Sequence, residues 1–584
     1  MTRRPQRVLA ALAAGAIGAV LAAGPAPAAG PVGLTKPTQA SKVDVDPGRL
    51  YGSPSLAIDP ENPMHMAAGW GDLRSRRCGV LRSVDGGATW TRPDASPDTA
   101  TFPFCIQQQG GVIQAPIAFG AKGMLYMALG GWGPEDVGRS SGAVMVARSA
   151  NLGDSWETTV VRSGRGKTGE AAEDLRPVQD IAVTAKAGKD DVLYLTFAQA
   201  RTGFTAPNAA PGIPMVAVSR DGGRTFDEGT NLADKVFEDK AIRDRAIAAV
   251  TTTVPAPGVT TTTTTAPPAG SKAATPNQAS NFGSRGGRNG HTVAVDGKGN
   301  AYVLWGAGSA NITPSPPGAL FLSKSTDAGR TWTTTQATPY GYDNPIGGPA
   351  FAGQQMAVSK EGTIHIVYGF NPKPELAAYG EVYHRASYDG GNTFSPLKDL
   401  SDDDPKNLAA QFFPNISVAP NGRVDAVWWD TRDDPGIRSN DVYYAYSTDD
   451  GRTWSKNERM TDQSVDRRLG VYGLGYDIAA PPGVASTNAY AVVGWDDTRN
   501  SGPAPTGFNA ELGGGLQDIY TAAVQFEAIG GGGTSNAAKM ALAAVVGIVV
   551  VGVVLVVAAL AARRRNPPPA STKPAGQKSA AQVS

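Results

Sequence analysis

The chain has 584 residues, with 53 basic side chains against 52 acidic ones and a formal net charge of +1. No basic block occurs outside its two ends, so nucleic acid is not an indicated partner. It has two cysteines, without a CxxC pair or a His/Cys cluster, so no zinc site and no cofactor are expected.

Residues 1–29 read as a secretory signal. Arg3, Arg4 and Arg7 supply the positive start, Val8 to Ala23 the apolar run, and Ala26-Pro27-Ala28 a small-residue cleavage site. An uncleaved anchor is the alternative. Residues 30–529 are then expected outside the cell. Cys78 and Cys105 both fall there, where an oxidising compartment favours a disulfide over two buried thiols.

Six copies of Ser-x-Asp/Asn-x-Gly-x-Thr/Ser-Trp/Phe follow, beginning at Ser83, Ser149, Ser219, Ser325, Ser387 and Ser447. Each belongs to a larger unit. In His291 to Trp305, alternating Val293 and Val295 lead into the turn Asp296-Gly297-Lys298-Gly299 and a second strand from Tyr302. Met356 to Tyr368 and Ile416 to Trp429 repeat this around Glu361-Gly362 and Asn421-Gly422. A third strand then runs into the tagged segment, and a short fourth follows, as in Thr453 to Met460. First strands align at Leu56, Ile117, Ile181, Val293, Met356, Ile416 and Ile478, at intervals of 61, 64, 112, 63, 60 and 62 residues. The long interval holds an insertion over 231–288. It contains a helical-looking stretch, Ala233 to Val250, and a Thr/Pro/Ala tract, Thr251 to Ala274, that resembles an O-glycosylated loop.

Seven four-stranded units at a near-constant period predict an all-β chain folded as a seven-bladed β-propeller. Six blades are the alternative if Leu56 or Ile478 begins an incomplete unit. The seventh unit ends near Tyr520–Phe526 without a tag. Its outer strand is expected from the N-terminus, where Lys42-Val43-Asp44-Val45-Asp46 alternates; this would close the ring and remove two exposed edges.

Beyond the propeller, 530–539 is a Gly-rich juxtamembrane linker. Met540 to Ala562 holds 23 residues without a charge, enough at about 1.5 Å each to cross a bilayer core of about 30 Å. Arg563-Arg564-Arg565 keeps the tail, 563–584, cytoplasmic, and its Pro/Ala/Lys composition reads as disordered. The expectation is a cell-membrane protein with one C-terminal transmembrane helix and its propeller outside.

The tags suit structural work. Their Gly permits backbone geometry closed to other residues, their Ser and Asp can bond local N–H groups, and their Trp or Phe can pack between sheets. The six segments are similar to the Asp-box, or bacterial neuraminidase repeat, of sialidases and related propellers, across most of residues 50–526. That resemblance implies a sialidase-superfamily propeller; its members include sialidases, other glycoside hydrolases, sorting receptors and assembly factors.

Propeller topology places the tags on one face and the longest variable loops on the other, where recognition is expected. A second repeat collects there: Trp70-Gly71-Asp72-Leu73-Arg74, Trp429-Asp430-Thr431-Arg432 and Trp495-Asp496-Asp497-Thr498-Arg499, on three adjacent blades. It reads either as carboxylates and guanidinium groups beside aromatic planes, suited to a charged sugar, or as internal Asp–Arg pairs that pin each loop. Arg176, Arg285, Arg288, Arg467, Arg468, Tyr342, Tyr472 and Tyr476 lie just upstream of inner strands, toward the central mouth.

Sialidases clamp a substrate carboxylate with three arginines and use a Glu-activated Tyr nucleophile and an Asp acid/base. Their Phe/Tyr-Arg-Ile-Pro motif is absent here; Arg49 to Pro54 stands where it is expected, and Asp174-Leu175-Arg176-Pro177 is the nearest match. By that resemblance the catalytic candidates are Asp430, Asp496 and Tyr476, with Asp497 and Tyr472 as alternates. The substrate-binding candidates are Arg176, Arg288, Arg432, Arg499, Trp429 and Trp495. Two readings follow: a surface propeller that binds a glycan, a glycoconjugate or a cell-envelope protein, and an exo-α-sialidase-like glycoside hydrolase.

Overall fold

Each repeat unit folds as a small antiparallel sheet, and seven such sheets succeed one another along the chain. They are seen in a computed structural model. It describes residues 31–41, 50–52, 54–106, 115–136, 142–165, 175–184, 190–200, 212–233, 291–307, 319–338, 353–370, 380–404, 406–407, 409–434, 439–466, 469, 481–501 and 516–526. The chain divides into two units, Met1–Glu527 and Ala528–Ser584, and every described residue lies in the first.

Blade 1 comprises Ser55–Ile58, Met66–Asp72 and Arg77–Ser83. Blade 2 comprises Ile117–Phe119, Leu125–Gly131, Ala143–Ser149 and Glu157–Ser163. Leu175–Thr184, Val192–Ala200, Gly212–Ser219 and Thr230–Asn231 form blade 3. Blade 4 has His291–Val295, Ala301–Ala307, Ala319–Ser325 and Thr333–Gln336. Blade 5 has Gln354–Val358, Ile364–Phe370, Glu381–Ser387 and Lys398–Asp399. Blade 6 has Gln411–Val418, Val424–Asp430, Ser439–Ser447 and Glu458–Arg459. Blade 7 pairs Gly483–Ser486, Tyr490–Asp497 and Asp518–Phe526 with an N-terminal outer strand. Successive inner strands touch, and the seventh, Gly483–Ser486, returns to the first, Ser55–Ile58. The ring is closed with seven blades.

Six landmark residues, Leu56, Ile117, Ile181, Val293, Met356 and Ile416, do sit in inner strands. Ile478 lies outside the described residues, and the seventh inner strand begins later, at Gly483. Pro481 and Pro482 precede it and have no N–H to give a ladder, so pairing starts after them. The outer strand of blade 7 also differs in place. Pro31–Leu34 pairs with Asp518–Phe526 (Pro31 opposite Phe526, Leu34 opposite Val524), and Thr38–Gln39 continues along the same edge. Lys42 to Asp46, the expected strand, lies outside the described residues, as do 234–290 and 540–562. Among the described residues no helix is long and apolar enough to cross a membrane.

Every tag begins on the last residue of a third strand. In blade 5, Ser387 Oγ donates to Asp389 Oδ1 at 2.8 Å and accepts from Gly391 N at 2.8 Å. Asp389 then accepts from Thr393 N at 2.9 Å and from Thr393 Oγ1 at 2.6 Å. Burial works against the Asp389 charge, but the bonds from Thr393 and Ser387 outweigh it and hold the carboxyl down to about 2. Gly391 has φ +96°, and a Cβ there would lie 2.5 Å from Leu322 Cδ2 of blade 4. The turn therefore needs Gly twice, for its own backbone and for its approach to the preceding blade. The tag aromatics press the same way: Trp332 of blade 4 sits edge-on to Tyr194 of blade 3 at 6.3 Å.

Polar residues stitch the inner strands together. Ser55 Oγ accepts from Ile117 N, Asp180 Oδ2 accepts from Val293 N and Thr292 Oγ1, and Asn415 Nδ2 donates to Pro482 O. Each of these bonds crosses from one blade to the next.

Blade 1 lacks a fourth strand among the described residues; a single bridge, Arg82 with Thr91, takes its place. The Cys78–Cys105 disulfide, with its Cα atoms 6.0 Å apart, ties the third strand of this blade to the segment leading into blade 2. Cross-linking a loop of that size is worth about 3–4 kcal/mol in the chain-entropy account. We expect Cys78→Ser/Cys105→Ser to lose roughly that amount in urea unfolding, with added reductant leaving the variant unchanged and lowering the parent protein to match it.

Candidate functional site

Strands two and three are joined on the face opposite the tags, and the blade-to-blade connections run over that same face. The Asp–Arg repeat sits here. In blade 6, Asp430 closes the second strand and is fully buried. It accepts from Trp428 Nε1 at 3.0 Å, from Arg432 N at 2.8 Å and from Arg432 Nη2 at 2.7 Å. Arg432 reaches on to Asp402 Oδ1 at 2.9 Å and Asn457 Oδ1 at 2.9 Å, and lies 4.1 Å over the Tyr443 ring. Asp402 follows the outer strand of blade 5, so this guanidinium clamps blade 5 to blade 6. Burial opposes the Arg432 charge, but the bonds from Asp430 and Asp402 outweigh it, and the group stays firmly protonated.

Blade 7 repeats the clamp. Asp497 accepts from Trp495 Nε1 at 3.0 Å, Arg499 N at 2.9 Å and Arg499 Nη2 at 2.8 Å. Arg499 then meets Asp462 Oδ1 at 2.8 Å and covers Tyr520 at 4.1 Å. Asp462 follows the outer strand of blade 6. The intervening threonines hold the connections: Thr431 Oγ1 accepts from Ala410 N at 2.8 Å and Thr498 Oγ1 from Asp466 N at 3.1 Å. In blade 1, Asp72 instead caps backbone, accepting from Leu50 N at 3.0 Å, Arg74 N at 3.1 Å and Ser75 Oγ at 2.7 Å.

This geometry shifts one alignment by a residue. The indole that donates to Asp430 belongs to Trp428; Trp429 points to the other side of the sheet and is fully buried in the core. Its equivalent in blade 7 is Asp496, also fully buried, which accepts from Gln517 Nε2 at 2.9 Å. Trp495 is fully buried as well. Asp430 and Asp496 therefore do not meet solvent, and Trp429 and Trp495 offer no open aromatic face. Arg176 lies near the start of the inner strand Leu175–Thr184. Arg288, Tyr472 and Tyr476 lie outside the described residues.

Sequence reading missed the far partners, Asp402 and Asp462. The signal was present in Leu400-Ser401-Asp402 and Met460-Thr461-Asp462, which recur at matching exits from their blades. It also missed a tyrosine–carboxylate pair on this face. Tyr443 Oη donates to Asp433 Oδ2 at 2.9 Å, and Arg459 lies 3.4 Å from Asp433. Burial first and Asp433 second push the phenol up. Among the described residues, no group of three or more His, Cys, Asp or Glu is placed to hold a metal ion.

No protein-family model matches the chain. No curated protein matches it either. Solved structures do. A Dyadobacter fermentans protein of unknown function aligns over 86% of this chain and 100% of its own, at 12% identity and a TM-score of 0.39. A Hadza microbial sialidase aligns over 80% and 75%, at 12% identity and 0.39. An ulvan lyase, described as a new family of polysaccharide lyase, aligns over 81% and 93%, at 9% identity and 0.43. Likenesses this distant bring no functional conclusion with them.

The clamp has a measurable weight. Asp430→Ala strands the Arg432 guanidinium beside an emptied site, and removing one partner of a buried pair costs about 3 kcal/mol or more. Urea unfolding is expected to show that loss, with part of it recovered in Asp430→Ala/Arg432→Met. A loss below about 1 kcal/mol would place the pair among weak surface contacts.

Proposed function

We propose that this chain is a membrane-tethered surface propeller that recognises exterior glycans or glycoconjugates through its loop-rich face. The observation that carries this reading is the division of labour between the two faces. Pro31 and Phe526 are register partners, and Phe526 N donates to Ala489 O in the turn between the first two strands of blade 7. The first and last described residues, Pro31 and Phe526, therefore both lie on the tag face. On the opposite face the described connections are held by the Arg432 and Arg499 clamps. The six tags support the superfamily half of the reading through their resemblance to the Asp-box.

The ligand contacts are assigned accordingly. Asp430, Arg432, Trp429, Asp496, Trp495 and Arg499 hold the scaffold. Arg176, near the start of the blade 3 inner strand, and Arg288 and Tyr476, which precede inner strands in the sequence, are proposed as the groups that meet the ligand at the mouth.

Detergent-solubilised full chain applied to a glycan array tests this. Retention of a glycan without product is the expected result, and Arg176→Ala should weaken it at least ten-fold while leaving unfolding unchanged. Arg432→Ala should do the reverse, lowering stability more than retention. Turnover on a fluorogenic sialoside panel would move the chain to the hydrolase reading. Retention of nothing on the array, with capture of a cell-envelope protein instead, would make the partner a protein.

A further inference from the structure

Blade 5 carries a pair that the mechanism of recognition leaves unused. His365, on the second strand, and His384, on the third, are both fully buried. Their rings stack at 5.4 Å and 22°, and His365 Nδ1 lies 3.2 Å from His384 Nε2. The outward nitrogens, His365 Nε2 and His384 Nδ1, have no hydrogen-bond partner. Two neutral imidazoles satisfy one shared bond in this arrangement; an added proton would create a cation with no acceptor beside it.

The lid on this pair comes from blade 6. A Cβ on Gly451 would lie 2.4 Å from His384 Cε1, so the tag turn of blade 6 rests directly on the ring, and Trp454 meets His384 edge-on at 5.0 Å. Around the pair the seam is apolar, with Val367 and Val382 of blade 5 packed on Val424, Ala426 and Trp428 of blade 6. The charged groups near it do not help a cation. Arg452 on the turn repels it, and Lys398 stands opposite His384 across the outer ladder. Asp449 is engaged by Ser447 and Thr453, and Asp450 pairs with Arg452 at 3.4 Å.

We propose that His365 and His384 form an acid-sensitive latch at the seam between blades 5 and 6: protonation of the pair displaces the Gly451 turn and opens that seam before any other. Burial, with Arg452 second, pushes His365 down to about 4; burial, with His365 second, pushes His384 well below its ordinary value. The sign follows from linkage. The stability that the neutral pair supplies is complete above about pH 6.5 and is lost as the pH falls toward 4, because the opened state binds the extra proton. Asp180, at the seam of blades 3 and 4, works in the opposite sense. Burial raises it to about 6, whereas burial pushes His291 on the same seam down to about 3, so these two groups oppose each other in acid while His365 and His384 act in one sense. The position of the opening is therefore diagnostic.

Hydrogen exchange read by mass spectrometry on the full chain, from pH 7 to pH 4 and corrected for the intrinsic pH effect, tests the latch. Peptides from Ile364–Phe370, Glu381–Ser387 and 447–454 should open up to about a hundred-fold more for each unit of acid between pH 6.5 and 4, ten-fold for each of the two histidines, with blades 1 and 2 unchanged. A seam that keeps its protection to pH 4, or a ring that opens everywhere together, overturns the proposal. His384→Leu should flatten the slope at that seam, and a variant that folds but keeps the parent slope also overturns it. Should that variant not fold, the comparison of blades in the parent chain decides alone.

Discussion

A sheet with two apolar faces has no core of its own, and this constraint governs the molecule. Each blade can bury its faces only against its two neighbours, so stability resides at seams. Val367 and Val382 share one buried cluster with Val424, Ala426 and Trp428 of the next blade. The tag glycines, the inner-strand stitches and the arginine clamps all act across the same boundaries. A loss at one seam is felt by the whole ring, because a propeller opened at one point exposes two faces at once.

Much of this was legible in the sequence, for physical reasons. The tags mark where third strands end because only Gly fits both their backbone and their approach to the preceding blade, so a steric requirement leaves a visible letter. The inner strands were legible through Leu56, Ile117, Ile181, Val293, Met356 and Ile416, whose spacing follows the blade. The start of the seventh, Gly483, was not legible from the spacing alone: Pro481 and Pro482 have no N–H to give a ladder just before it, and Ile478 lies outside the described residues. The closing strand does come from the N-terminus, as expected, at Pro31–Leu34 and Thr38–Gln39; the alternation in Lys42 to Asp46 says nothing about which edge is vacant.

The loop-rich face shows where pattern reading is weakest. Trp428 and Trp429 are adjacent, and a strand sends adjacent side chains to opposite faces. Choosing the wrong one placed an indole beside Asp430 that in fact packs in the core. Trp495, Asp497 and Arg499 make in blade 7 the bonds that Trp428, Asp430 and Arg432 make in blade 6. The Asp–Arg repeat makes the same joint twice, between blades 5 and 6 and between blades 6 and 7. A ligand site need not recur from blade to blade, whereas a joint between blades must.

The pairing of Pro31 with Phe526 has a consequence for biogenesis. Its neighbouring bonds, Ser41 to Ile519 and Thr35 to Ala523, join residues 478 and 488 positions apart. During synthesis at about 5–20 residues per second, the first strand made waits on the order of half a minute or more for the last. Through that interval the nascent chain carries an unpartnered strand at its leading end and, as each blade forms, an uncovered apolar face behind it. Those are the features that invite pairing with a neighbouring chain. The final strand is thus also the step that ends the chain's exposure to misassembly, and truncations just short of it should aggregate rather than fold as six stable blades.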